Sequence, residues 1–185
     1  AKAGKHIICE KPMEITPEKI EDVIKVVREC GVKMQCIFQR RTMSAAIAVK
    51  NAIDEGKFGK IVLADAYLKY YRTQEYYNSA GWRGTWELDG GGALMNQGVH
   101  GIDLLLWMVG EKVVKVFAKT GTLARNIAVE DTAAVIVQFA GGGFGVIEGT
   151  TSVYPGFETR FEIHGEKGTV IFDDSGIKRM DFHRG

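Results

Sequence analysis

Asn96, His100 and Asp103 are the polar residues whose types and spacing best suit chemistry. Spacings of four and three residues place them near one face of a helix that has begun by Asn96. The glycines at 90–92 precede them, and glycine lets a ligand approach the backbone closely. Because histidine exchanges a proton near neutral pH, this stretch predicts a small-molecule site. A structural alternative stays open, since glycine runs are often turns and a lone histidine is often a structural group.

A second candidate motif, Glu10-Lys11-Pro12, directly follows a short apolar strand. In open α/β sheets, ligands bind at the carboxyl ends of the strands. A lysine at that edge can donate to a substrate oxygen or help to withdraw its proton. Pro12 restricts the backbone of the turn, and the Lys11–Pro12 peptide bond can be either cis or trans. Taken alone, three residues favour a solvated lysine at a strand end.

The first elements that position these residues form a βαβ unit. Strands are predicted at residues 5–9 and 32–38. The helix between them has Thr16 as its N-cap, Pro17 at its first position and Gly31 as its stop. Two parallel strands joined by a right-handed crossover are therefore expected.

The next predicted elements are a helix from Ser44 to Glu55 and a half-buried strand from Ile61 to Tyr71, which has apolar residues at its even positions. The long aromatic loop 72–89 follows, and then the glycines and an apolar helix. The remainder is β, with strands predicted at 113–119, 131–139, 144–152, 157–164, 169–173 and 178–183.

This order predicts an α/β (α+β) fold. A large open, mostly antiparallel or mixed sheet carries helices on one face, and the last βαβ unit of a Rossmann domain precedes it. The other face of the sheet is then either solvated or paired with another subunit. Val135, Val137, Phe144 and Val146 favour pairing, so a homo-oligomer is expected.

The composition argues against two classes of binding partner. The chain of 185 residues has 24 basic and 23 acidic side chains, and it has no block of like charge and no long apolar run. We therefore expect neither nucleic acid nor a membrane as partner. Cys9, Cys30 and Cys36 lack metal-ligand spacing and are interpreted as buried free thiols in a reducing, cytoplasmic compartment. A Cys9–Cys36 pair on neighbouring strands is the open alternative.

Several motifs together resemble the glucose–fructose oxidoreductase/inositol dehydrogenase/MocA family of NAD(P)-dependent oxidoreductases. The matching stretches, in family order, are Gly4–Pro12, Gln39–Arg41, Gly56–Ile61, Trp82–Arg83, Gly90–Asp103 and His164–Gly168. The resemblance implies that residues 1–39 close a dinucleotide-binding Rossmann domain. Residues 40–185 would form the domain for substrate binding and oligomerisation.

The resemblance also implies an activity, namely hydride transfer between nicotinamide and a hydroxyl-bearing carbon of a sugar, inositol or nucleotide sugar. Lys11 and His100 would be catalytic, with His100 exchanging the hydroxyl proton. The substrate-binding residues would be Asn96, Asp103 and Tyr77, and those lining the cofactor NAD or NADP would be Glu10, Lys11, Pro12, Arg40, Trp82 and Arg83. No metal is implied. The family commonly has Asp at position 96, so Asn96 is given a binding role only.

Two other functions fit parts of the sequence less well. A non-catalytic carbohydrate-binding or oligomerisation module fits Asn96 and the absence of a G-x-G-x-x-G motif, whereas retention of Lys11 and His100 argues against it. A hydrolase that uses His100 with Asp103 lacks a nucleophile at a suitable turn.

The missing G-x-G-x-x-G motif generates a first prediction. The glycines at 141–143 and 145 lie between two predicted strands and are interpreted as a hairpin turn. We therefore expect this chain alone to bind NAD(P) weakly and to turn over no substrate. Isothermal titration with NAD measures this, and tight binding would contradict it.

Overall fold

The structure is a computed structural model that describes residues 1–183, so the last two residues of the predicted second domain lie outside it. The helices are α1 (Pro17–Glu29), α2 (Ser44–Asp54), α3 (Gln74–Asn78) and α4 (Val99–Val109), with a 3-10 helix at Gln39–Thr42 and a π-helix at Ala93–Gly98. The strands are β1 (Ile7–Glu10), β2 (Met34–Ile37), β3 (Ile61–Lys69), β4 (Val113–Gly121), β5 (Thr132–Phe139), β6 (Phe144–Thr150), β7 (Arg160–Gly165), β8 (Gly168–Asp173) and β9 (Gly176–Phe182). Within residues 1–183, every helix is too short or too polar to cross a bilayer.

The first unit is the predicted βαβ arrangement. Strands β1 and β2 are parallel, and α1 begins where Thr16 accepts a hydrogen bond from the backbone N–H of Lys19. The cysteines Cys9, Cys30 and Cys36 are free, as predicted, but each is only partly buried, so the predicted burial was wrong. Their exposure follows from the open packing of this unit: α1 has no fully buried residue, and Ile8 on β1 is 80% exposed.

The second unit is a seven-stranded sheet in the order β4-β5-β6-β3-β7-β8-β9. Only the β3–β6 pair is parallel, which confirms the predicted mostly antiparallel sheet. Helices α2 and α4 pack together, and α4 packs on β3. A Cβ added at Gly101 would lie 2.2 Å from Leu68 Cδ2, so α4 approaches the central strand as closely as a glycine permits.

The residues expected on the open face of this sheet were partly misassigned. Val135 and Val137 belong to the buried core beneath the helices. Since side chains alternate along a strand, Ile136 points the other way, and it is 50% exposed. It pairs with Phe117, which is 72% exposed, and Phe144 is 52% exposed on the next strand. Phe144 is thus exposed as predicted, whereas Ile136 and Phe117 lie where Val135 and Val137 were expected. The open face carries these apolar side chains beside charged ones such as the ion pair of Lys69 and Glu148.

The predicted loop at 72–89 contains α3, which begins where Thr73 accepts a hydrogen bond from the backbone N–H of Tyr76. The glycines that follow contact the chain itself, whereas the sequence had suggested the approach of a ligand. A Cβ at Gly92 would lie 1.8 Å from the carbonyl oxygen of Glu130, which accepts from Ala93 N at 2.9 Å. The Glu130 carboxylate also accepts from Gly92 N and Leu94 N, each at 3.0 Å.

This packing predicts the effect of Gly92→Ala. The added methyl group must displace the backbone of Glu130, so we expect a loss of about 3 kcal/mol in the free energy of unfolding, measured by urea denaturation. Gly81→Ala is the matched control, because a Cβ there meets no atom within 4 Å. It should change stability by less than about 0.5 kcal/mol. Equal stability of the two variants would contradict the packing described.

Candidate active site

Lys11 and the turn before His100 meet although they are far apart in the chain. The Lys11 Nζ donates a hydrogen bond of 2.8 Å to the carbonyl oxygen of Asn96. This contact joins the end of β1 to the π-helix that leads into α4. Burial lowers the pKa of Lys11, and the negative charges of Asp89 and Glu10 oppose that shift. The half-buried Lys11 is therefore bound at Asn96, which lies one helical turn before His100, the candidate base.

The helix expected to have begun by Asn96 starts at Ala93, and its first turns are π-helical. Turns of this kind often occur at functional sites. The Asn96 side chain points to a carboxylate that the sequence had not singled out: Asn96 Nδ2 donates to Asp89 Oδ1 at 2.7 Å. Asp89 is buried, and its Oδ2 accepts from Gly84 N at 2.9 Å. The only sequence signal was a carboxylate directly before the glycine run.

His100 has the environment of a neutral imidazole. The pKa of His100 is lowered, and burial is the largest cause. The positive charges of Lys11 and Arg40 lower this pKa further, whereas the negative charges of Asp103 and Glu10 raise it. Its ring meets Phe38 edge-on, with the centroids 6.2 Å apart. Its Nδ1 is buried and has no hydrogen-bond partner in the part of the chain that the structure describes. A buried polar nitrogen of this kind normally has a partner, so it is suited to a group that binds from outside the chain.

The carboxylate of Asp103 is bound by another side chain of the protein. Arg41 binds it through two guanidinium nitrogens, and the Nε contact is 2.8 Å. The same guanidinium lies 5.6 Å from the Phe38 ring and 5.8 Å from the Trp107 ring. The 3-10 helix after β2 is thereby attached to α4 next to His100. Arg40, on the same short helix, forms an ion pair with Asp174.

The remaining sequence candidates lie in two places. Glu10 and Pro12 are exposed beside Lys11, and the Lys11–Pro12 peptide is cis. Tyr77 is buried, and its hydroxyl is 2.8 Å from Thr151 Oγ1, so it contacts the chain rather than open space.

Tyr76, which the sequence analysis did not select, is the tyrosine that contacts the π-helix. Its hydroxyl accepts a hydrogen bond from Gln97 Nε2 at 3.1 Å. Trp82 and Arg83 lie with Tyr76, and the Arg83 guanidinium is 4.2 Å from the Tyr76 ring. Their described contacts do not include Lys11.

A cavity of about 590 Å³ lies elsewhere, at the outer edge of the sheet where the β7–β8 hairpin meets β9. Its lining includes His164, Lys167, Arg179 and His183, but none of the predicted site residues. It is an open groove beside an edge strand. The cluster around Lys11 and His100 combines burial, shifted pKa values and an unpartnered nitrogen, which makes it the stronger candidate for chemistry.

Two family models match parts of this chain. Residues 46–171 match the GFO/IDH/MocA C-terminal domain, and residues 1–38 match the NAD-binding Rossmann fold of the oxidoreductase family. Inositol 2-dehydrogenase of Rhizobium meliloti is 29% identical over 180 residues, which cover 94% of this chain and 52% of that enzyme. The chain spans about half the length of the curated relatives it matches.

Two solved structures are more similar in sequence. The WlbA dehydrogenase from Bordetella pertussis, in complex with NADH and UDP-GlcNAcA, is 40% identical with a TM-score of 0.93 and covers 99% of this chain and 57% of its own. WlbA from Chromobacterium violaceum, with the same two ligands, is 39% identical with a TM-score of 0.93 and covers 99% of this chain and 54% of its own.

The charges around His100 predict a measurable coupling. Lys11→Met removes a positive charge that lowers the pKa of His100, so that pKa should rise. Histidine NMR signals followed through a pH titration measure this. Lys2→Met, which removes an exposed charge near the amino terminus, is the control and should leave the His100 titration unchanged. A His100 pKa that is unchanged or lower in Lys11→Met would show that the two groups are not coupled.

Proposed function

Because the chain belongs to the GFO/IDH/MocA family of oxidoreductases, we propose that it forms the substrate side of an NAD(P)-dependent dehydrogenase. The enzyme would transfer a hydride between nicotinamide and a hydroxyl-bearing carbon of a nucleotide sugar. The observation that carries this is the Lys11 amine bound at Asn96, one turn before a neutral, half-buried His100. The similarity to a dehydrogenase solved with NADH and UDP-GlcNAcA supports a nucleotide-linked uronic acid over a free polyol.

The proposed chemistry requires a general base and a hydrogen-bond donor that both contact the hydroxyl oxygen of the substrate. Oxidation of the substrate breaks its C–H and O–H bonds, and bound nicotinamide supplies the acceptor for the hydride. Neutral His100 takes the hydroxyl proton as general base. The Lys11 ammonium donates to the same oxygen and stabilises the negative charge that develops there. The charge of Lys11 also lowers the pKa of His100, which keeps the imidazole unprotonated and ready to accept that proton.

The residues present fit a nicotinamide cofactor. Glu10 is the exposed last residue of β1, and Arg40, which is paired with Asp174, follows the end of β2, so both parallel strands have a charged side chain at their carboxyl ends. Ligands of open α/β sheets bind at that edge. The unpartnered Nδ1 of His100 adds a polar atom whose partner would come from a ligand.

Asn96 and Asp89 complete the proposed site. Asn96 holds Lys11 through its carbonyl oxygen and holds Asp89 through its side-chain amide. Asp89 would orient Asn96 toward the substrate and keep a negative charge near Lys11, although position 96 itself is neutral.

We also propose that the open face of the seven-stranded sheet joins two copies of the chain. Phe117, Ile136 and Phe144 are large apolar side chains on that face, and each is at least half exposed. Phe117 and Ile136 are direct neighbours on paired strands, and exposed large apolar side chains that lie together favour an interaction site.

Substitution tests the catalytic roles in the full-length enzyme. We expect His100→Gln and Lys11→Met to lower kcat for oxidation of a UDP-linked uronic acid by about 10²- to 10⁴-fold, since each removes a group that acts on the reacting oxygen. NADH absorbance measures turnover, and circular dichroism checks the fold. Lys5→Met, at an exposed lysine before β1, is the control and should retain wild-type turnover. Wild-type turnover in His100→Gln would refute the proposed role of His100.

A further inference from the structure

The turn between β8 and β9 reaches the candidate active site through one ion pair. Asp174 is the first residue of this two-residue turn, and its Oδ1 accepts a hydrogen bond from Arg40 Nη1. Arg40 lies 134 residues earlier in the chain, on the 3-10 helix that follows β2. Both side chains are partly exposed. Because exposed ion pairs contribute little to stability, a stabilising role does not account for this one.

Asp174 is held in place by the sheet, independently of Arg40. Its Oδ2 accepts from the backbone N–H of Thr159 at 2.9 Å. Thr159 is fully buried, and its Oγ1 is 2.7 Å from the hydroxyl of Tyr70, which follows β3. Strands β7 and β8 are antiparallel neighbours, so the start of β7 lies beside the end of β8. The carboxylate is therefore fixed at this end of the sheet, with its other oxygen bound to the guanidinium.

The 3-10 helix that carries Arg40 is attached to the region of His100 by its neighbouring residues. Arg41 binds Asp103 on α4 through two guanidinium nitrogens. The Phe38 ring, directly before this helix, meets the imidazole edge-on. The charge of Arg40 is close enough to His100 to lower its pKa. The other charges that act on this pKa are those of Lys11, which lowers it, and of Asp103 and Glu10, which raise it.

The remaining donors of Arg40 are available to a ligand. Within residues 1–183, its side chain makes a hydrogen bond only through the nitrogen that contacts Asp174, so Nε and Nη2 have no protein partner there. An arginine side chain loses considerable rotamer freedom when it is held in one position. The contact with Asp174 imposes that restriction before any ligand binds, and the charge and the two remaining donor groups are thereby held near His100.

We propose that Asp174 is a positioning residue, which fixes the Arg40 guanidinium beside His100 and directs its remaining N–H groups to the reacting centre. This inference rests on the proposed function. Asp174 itself would contact neither substrate nor cofactor and would act through Arg40. The sequence had assigned Arg40 to the cofactor site but gave no signal for Asp174, because a carboxylate in a distant turn has no periodic relation to the arginine.

The test compares Asp174→Asn with Arg40→Gln in the full-length enzyme. Asp174→Asn keeps an acceptor for the Thr159 N–H but removes the charge that holds Arg40. We expect the pKa of His100, followed through its NMR signals, to rise in both variants, because each moves the Arg40 charge away. We expect kcat/KM for oxidation of a UDP-linked uronic acid to fall about tenfold in both. The double variant should match Arg40→Gln, since the two residues act as one unit.

Two further variants are the controls. Asp174→Glu keeps the charge, and since no residue other than glycine has a positive φ, the turn accepts the longer side chain without backbone strain. It should therefore recover most of the wild-type kcat/KM and the wild-type His100 titration. Asp181→Asn removes the carboxylate of an exposed ion pair with Arg179 on β9 and should match the wild type in both measurements.

The sign of the pKa change separates positioning from a direct effect of charge. A lower His100 pKa in Asp174→Asn overturns the inference, because loss of the Asp174 charge alone has that sign. An unchanged pKa together with wild-type kcat/KM also overturns it, and so do losses that add in the double variant. Absence of hydride transfer in the wild type refutes instead the proposed function, and the His100 titration then still decides for or against the positioning role.

Discussion

The contact on which the candidate site depends is the hydrogen bond from the Lys11 amine to the carbonyl oxygen of Asn96. It joins two units that otherwise have separate sheets: β1 belongs to the two-stranded sheet, and the π-helix and α4 lie on the seven-stranded one. A lysine that is partly buried needs a partner for its donors. The Asn96 carbonyl supplies that partner, and the lysine charge is thereby held within electrostatic reach of His100.

The position of that carbonyl depends on how the helix is packed beneath it. Gly101 allows α4 to lie against Leu68 on the central strand, and Gly92 allows the start of the π-helix to lie against Glu130. The Glu130 carboxylate then satisfies two of the N–H groups that a helix start leaves without partners. The glycines that looked like a ligand loop in the sequence thus have a packing role, and the polar residues they precede are held on a rigid support.

The sequence was sufficient for the elements with strong local signals. The caps at Thr16 and Pro17 and the β5–β6 hairpin were predicted with near-correct bounds because local residues determine them. The face of β5 could not be predicted, since Val135 and Ile136 are equally apolar and alternation alone does not say which side the helices cover.

The site itself was only partly predictable. Lys11 and His100 were identified through a family resemblance and a rule about strand ends, because no periodicity links residues so far apart. Asp89 and Gln97 were missed, since their partners depend on a wide π-helical turn that a 3.6-residue pattern does not reveal. The role of each candidate residue stays a prediction that the kinetic variants address.

The neutral side chain of Asn96 has an electrostatic consequence for the proposed mechanism. Position 96 itself is neutral, and its side-chain amide donates to Asp89, which is buried and also accepts from the Gly84 N–H. In the proposed mechanism, the negative charge of Asp89 would therefore lie one hydrogen bond further from the reacting oxygen than a carboxylate at position 96 would place it. Lys11 would then keep more of its positive potential where an alkoxide would develop in that mechanism. The charge of Lys11 also lowers the pKa of His100. An asparagine at this position is thus compatible with proton transfer by His100 alone.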